Sequence, residues 1–170
     1  RIDAEAGEAG EVLVNGPNVM QGYWNKPDQT AAALEDGWYR TGDIGYLDDE
    51  GYLYLVDRAK DMIISGGVNI YPAEIEAVLI SHPSVVDAAV FGIPHEEFGE
   101  EVKGAVELLD GTVADGTLEA ALIEHCKAHL ASYKAPKSID FEDALPRQQT
   151  GKLLKRLLRD KYWQDIGRNI

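Results

Sequence analysis

The sequence predicts an α+β fold: the end of a β-barrel-like subdomain followed by a small C-terminal domain in which a sheet is flanked by helices. Three observations carry that expectation. The first third of the 170 residues holds short runs of β-branched and aromatic residues set between Gly and Asp clusters. From residue 61 onward such runs alternate with segments of helical periodicity. Residues 151–163 then carry leucines at helical spacing among basic residues.

In chain order, strands are expected at residues 11–15 (EVLVN), 38–40 (WYR), 44–48 (IGYLD) and 52–56 (YLYLV). One short helix is expected at 28–35 (DQTAAALE), with Asp28 as its N-cap behind Pro27. The charged stretch 57–61 marks the domain boundary, giving residues 1–59 and 60–170. A strand over DMIIS (61–65) breaks at Gly66 and Gly67, and a helix opens at Pro72, where a proline loses no hydrogen bond. Ile75, Val78 and Leu79 share a face of that helix. Strands follow at 85–93 and 102–109, then a helix over 117–130 with Leu118, Leu122 and Leu130 in phase. In the final helix, 151–163, Leu153, Leu154, Leu157 and Leu158 form one stripe, while Lys152, Lys155, Arg156 and Arg159 stay off it.

A hydrophobic fraction of 45% is enough to build a core, and 170 residues suit one domain or two small ones. A net charge of -14 argues against a nucleic-acid partner, because neutralising phosphates takes a basic surface. The acid excess lies before residue 151, and the tail is net basic, so an anion site should draw on the tail. The lone cysteine, Cys126, cannot close an internal disulfide, which favours a reducing, cytoplasmic setting. No apolar run approaches the roughly 18 residues needed to span a bilayer. The start at Arg1, without a methionine, suggests a piece of something longer.

Three motifs then occur in order: YRTGD (39–43), DRAKDMIISGGVNIYPAEIE (57–76) and LPRQQTGK (145–152). With this spacing the chain resembles the C-terminal portion of the adenylate-forming superfamily, of the acyl-CoA synthetase or fatty-acid–CoA ligase type. Peptide-synthetase adenylation domains and beetle luciferases belong to the same superfamily. The resemblance runs from residues 10–30 to residues 151–163.

Each motif has a chemistry of its own beside what the resemblance implies. A carboxylate such as Asp43 can accept two hydrogen bonds from vicinal hydroxyls, and Gly42 before it permits a tight turn. The resemblance places the ribose of ATP at Asp43, with Tyr39 among the nucleotide-binding residues; a turn cap is the plain alternative. Arg58 offers a planar fork suited to ribose or phosphate oxygens, and the resemblance brings it to the nucleotide. Its alternative is a surface ion pair with Asp57 or Asp61. Lys60 falls at the position about which the small domain of such enzymes rotates.

Gly66 and Gly67, with Val68, match the loop that lines the pantetheine tunnel, although many relatives carry an acidic or aromatic residue in place of Val68. A hairpin turn is the alternative there. Lys152, expected in the first turn of the last helix, would be disfavoured by the macrodipole by about 0.3–1 kcal/mol, so helix stability is a poor reason for it. The resemblance makes it the adenylation lysine, catalytic and nucleotide-binding at once, reaching a carboxylate and a phosphate together. Otherwise it is a solvated surface lysine.

Two further patterns carry less. His125 and His129 stand one turn apart with Cys126 between them, but Cys126 points about 100° away from His125, so no metal site is assigned. The basic, leucine-striped tail suits a membrane surface or its own domain equally well.

The implied reaction is activation of a small-molecule carboxylic acid by ATP and Mg, followed by transfer to CoA. The Mg ligands, the acyl pocket and a Gly/Ser/Thr-rich phosphate loop are not found in these residues, so the chain is expected to need the N-terminal domain of the same enzyme and to be inactive alone. Two other readings remain beside this one: a peptide-synthetase adenylation domain, and a non-catalytic nucleotide-binding or interaction module.

Overall fold

A computed structural model describes residues 5–164 of the chain. It divides into two compact units, Arg1–Lys60 and Asp61–Ile170.

The first unit is built on one antiparallel sheet. Strand β1 (Gly10–Val14) lies along one edge of the long strand β3 (Trp38–Leu47). The opposite edge takes β2 (Leu34–Glu35) and then β4 (Leu53–Arg58). The separate strands expected at 38–40 and 44–48 are thus one strand, because the TGD tripeptide between them does not turn the chain. Gly42, at φ 71°, instead sits in a bulge. Residue Leu13 pairs with Arg40 and Glu11 with Ile44, so residues 41–43 lie opposite Val12 alone.

Helix α1 (Pro27–Ala33) also departs from expectation. Pro27 is its first residue, Lys26 holds the N-cap position without a side-chain cap, and Asp28 lies inside the first turn. The proline's missing N–H makes N1 a better place for it than the cap. Leu34 and Glu35 leave the helix to pair with Tyr39 and Trp38.

In the second unit, β5 (Ile63–Ser65) and β6 (Val68–Ile70) form a hairpin, followed by α2 (Pro72–Ile80). Strands β7 (Val85–His95) and β8 (Gly99–Leu108) form a long antiparallel pair. Helix α3 (Gly116–His129) is capped by Asp115, whose carboxylate accepts from the Thr117 and Leu118 amides. Strand β9 (Ser138–Glu142), which periodicity did not reveal, then pairs parallel with β8. The order is β6-β5-β8-β7, with β9 also on β8.

Both faces of this sheet are covered, which explains the unbroken apolar run in β7. Ala88 and Val90 of β7, with Val102 and Val106 of β8, meet Ile75, Leu79, Leu122 and Cys126 of α2 and α3. Ala89 and Phe91, with Ala105 of β8, meet Leu145 and Leu158 in a second cluster. Leu158 belongs to α4 (Lys155–Trp163), which starts later than the expected residue 151. Leu153 and Leu154 therefore precede the helix, and the expected four-leucine stripe does not exist as one. Leu158 is buried, Leu157 is 46% exposed, and Leu153 packs on the second cluster from the preceding loop.

Candidate functional site

The bulge at residues 41–43 positions the first group of candidate residues. The Thr41 hydroxyl donates to the Val12 carbonyl at 2.8 Å and accepts from the Asp43 amide at 3.0 Å, which fixes where the Asp43 side chain leaves the strand. Across the ladder Asp43 lies opposite Arg58 of β4. The two close an ion pair at 2.8 Å, and Arg58 Nη1 also donates to the Thr41 carbonyl at 3.2 Å. Arg58 thus pairs with Asp43 rather than with Asp57 or Asp61 through its guanidinium, and two residues expected to serve one nucleotide stand side by side. Tyr39, four residues upstream on β3, has its phenol pushed above the usual value by a hydrogen bond with Tyr23, with Tyr23's charge and slight burial adding to it. Thr41 was not singled out in the sequence, although it stands inside the YRTGD motif.

Lys60 lies in the short 3-10 turn Ala59–Asp61, exposed, as the last residue of the first unit. In the second unit Gly66 (φ 58°) and Gly67 (φ 81°) make the two-residue connection of the β5–β6 hairpin, with Ser65 paired to Val68. Two successive positive φ values are the requirement of a type I′ turn, which glycine meets without strain. Val68 is exposed just past this tip. The Gly66 amide donates to the Phe98 carbonyl at 2.9 Å, tying the tip to the β7–β8 connection.

Lys152 is three residues ahead of α4, in an extended return of chain, so the helix macrodipole does not act on it as the sequence suggested. It is exposed, and among the described residues no side chain makes a hydrogen bond or ion pair with its ammonium. The loop that carries it is nevertheless braced. Arg147 and Leu153 form an antiparallel bridge, and the Gln148 amide donates to the Lys152 carbonyl at 2.9 Å. Past the lysine, Lys155 pairs with Glu76 of α2 at 2.6 Å, and the same Glu76 carboxylate accepts from the Val90 amide at 2.7 Å.

The histidine and cysteine cluster has a structural arrangement. Burial pushes the Cys126 thiol up to about 11, while His125 Nε2 lies 2.9 Å from the Ser81 hydroxyl and 3.1 Å from the Val78 carbonyl. Among the described residues no group of three His, Cys, Asp or Glu could hold a metal ion, and no helix is long and apolar enough to cross a membrane.

Residues 74–152, from α2 through Lys152, match the family model of the AMP-binding enzyme C-terminal domain. The chain belongs to that AMP-binding, adenylate-forming family. Within it, the chain is 53% identical over 152 residues to a 2-succinylbenzoate–CoA ligase of Geobacillus kaustophilus, covering 89% of this chain and 30% of that one. It is 49% identical over 158 residues to a long-chain-fatty-acid–CoA ligase of Mycobacterium tuberculosis, covering 93% of this chain and 30% of the relative. Among solved structures, ATP-bound MatB of Rhodopseudomonas palustris superposes with a TM-score of 0.85 at 40% identity, covering 97% of this chain and 32% of MatB. The chain therefore spans about a third or less of the length of the relatives it matches.

Proposed function

We propose that the chain is part of an ATP-dependent acid–thiol ligase of the acyl-CoA synthetase type, with Lys152 as its adenylation lysine. The observation that carries this reading is an unpartnered ammonium on a braced turn within the matched AMP-binding segment. A solvated surface lysine is exposed in the same way, so it is the place of Lys152 at the end of LPRQQTGK, inside the matched segment, that favours the chemical role.

In the proposed first step a carboxylate oxygen of the acid attacks the α-phosphorus of ATP, and pyrophosphate leaves with the electrons of the broken P–O bond. Lys152 offsets the negative charge that builds on the transferring group. Asp43 accepts hydrogen bonds from the ribose hydroxyls, and Arg58, already steered by Asp43 and the Thr41 carbonyl, donates to nucleotide oxygens. In the second step the thiol of CoA loses its proton, its sulfur attacks the acyl carbon, and AMP leaves as the C–O bond breaks. Gly66, Gly67 and Val68 would line the path of the pantetheine arm, where the glycines let it lie close to the backbone. Rotation about Lys60 would exchange this tip for Lys152 between the steps. Among the described residues no group of three His, Cys, Asp or Glu is placed to hold Mg.

The two curated relatives named above differ in the acid in their names yet are both about half identical to this stretch, which supports a CoA ligase without favouring either acid. The reading is tested by Lys152→Ala in the complete enzyme. Single-turnover adenylation should fall about 10²- to 10³-fold, and thioester formation from supplied acyl-adenylate should persist. Equal slowing of both half-reactions in a folded variant would sink the proposal.

A further inference from the structure

The return of chain that carries Lys152 is held together mostly by bonds to itself. The Leu154 amide donates to the Pro146 carbonyl at 2.8 Å, the Gln148 amide to the Lys152 carbonyl at 2.9 Å, and the Gly151 amide to the Gln148 carbonyl at 2.8 Å. Bonds of this kind shape a turn but do not fix its place on the domain. One side chain does both. Arg147 Nη1 donates to the Gly151 carbonyl, next to Lys152, at 2.6 Å. Its Nη2 pairs with the Asp87 carboxylate of β7. Asp87 is itself oriented, since its other oxygen accepts from the Ala88 amide at 2.8 Å.

We infer that Arg147, with Asp87, is a positioning residue for the adenylation step, fixing the tip of the Lys152 turn to β7. The inference rests on the reading of Lys152 as the adenylation lysine. Arg147 and Asp87 are 44% and 21% exposed, and a pair so open to solvent adds little to global stability, so its service must be local. Two acceptors lying on different elements call for the fork of a guanidinium; an ammonium at the same place satisfies one of them poorly. Loss of the pair leaves the turn anchored at its two ends, by Leu145 before it and by Leu153 and Lys155 after it, while the Gly151 tip loses its tie to β7, and a small displacement of a charged group from its transition-state partner slows chemistry steeply.

The test compares Arg147→Met, Arg147→Lys, Asp87→Asn and the double variant Arg147→Met with Asp87→Asn. Amide hydrogen exchange in the 170-residue chain is the first readout. Exchange at Gln148 and Gly151 should quicken about tenfold in Arg147→Met, as expected when a local opening becomes easier, while the α4 and β7 amides keep their protection. Single-turnover assays of the complete ligase are the second. Adenylation at saturating ATP should slow about tenfold in Arg147→Met and less in Arg147→Lys, with the thioester step within about twofold of the parent. The double variant should be no slower than the slower single one, as for two ends of one interaction. Unchanged exchange, additive effects of the two substitutions, or equal slowing of both half-reactions would overturn the inference. Lys152→Ala, run alongside, separates the two failures. If it cripples adenylation and Arg147→Met does not, positioning alone fails; if adenylation survives it, both readings fail.

Discussion

Asp43 and Arg58 are partly exposed, at 31% and 46% of their side chains, and an ion pair so placed contributes about 0–1 kcal/mol to folding. Stability is thus a weak reason for the pair, whereas a guanidinium steered by a carboxylate and the Thr41 carbonyl suits the nucleotide-binding role proposed for it. Arg58→Met in the complete enzyme should leave the unfolding midpoint nearly unchanged and raise the KM for ATP about tenfold, the loss expected from a charged hydrogen bond. Steady-state kinetics at varied ATP checks it; an unchanged KM removes Arg58 from the nucleotide. His82 gives a pH dependence. Its ring lies edge-on to His125, whose ring stands against that of His129, and its Nδ1 accepts from the Ser84 amide. Burial, and then the charge of His125, hold His82 below the ordinary value of 6.5, so the fold favours the neutral ring. The unfolded chain therefore binds the proton first on acidification, and the stability due to this group is full above that value and lost as pH falls through the lower folded one. The thermal midpoint should drop between pH 7.5 and 5.5, and His82→Asn should flatten part of that drop. An identical slope in the variant would clear His82 of the effect.

Helix α4 shows how an element's start decides what its residues do. Beginning at Lys155 rather than Gly151, it leaves Leu153 and Leu154 in the loop and puts only Leu158 among its leucines into the core. Side chains elsewhere complete its attachment: Tyr162 bonds Asp140 of β9, the Trp163 indole donates to the Gly92 carbonyl at 3.1 Å, and Lys161 pairs with Glu142 at 2.7 Å. Lys103, nearly buried, reaches Asp140 at 2.8 Å beneath the Tyr162 ring. Leu158→Ala should cost about 2–5 kcal/mol through lost burial and the cavity left behind. Leu157→Ala, on an exposed position, should stay within about 0.5 kcal/mol. Denaturant unfolding of the two variants decides it; equal losses would mean that α4 packs on another face. The expected stripe failed because periodicity reports which residues could share a helix face, while a loop closed by the Arg147–Leu153 bridge competes for the first four.

Two units that each close their own sheet set the largest scale, and Lys60 ends the first of them. Under the proposed alternation of half-reactions, Lys60→Pro should stiffen the connection and slow thioester formation more than adenylation, read by single-turnover assays with folding checked first. Equal effects on both steps would take the hinge role from Lys60. The strands with apolar runs and the helices opening at Pro72 and near Thr117 were legible in the chain alone, because turn residues and side-chain period act over a few neighbours. So were Asp43, Arg58 and Lys152 as candidates, since their motifs are contiguous. Other features were decided only by the tertiary structure: the bulge that aims Asp43, its pairing with Arg58, the parallel strand β9, and the attachment of the Lys152 turn to Asp87. Each depends on partners far apart in sequence, brought together when the sheets form, and no local pattern records which distant hydrogen bond or charge will be met.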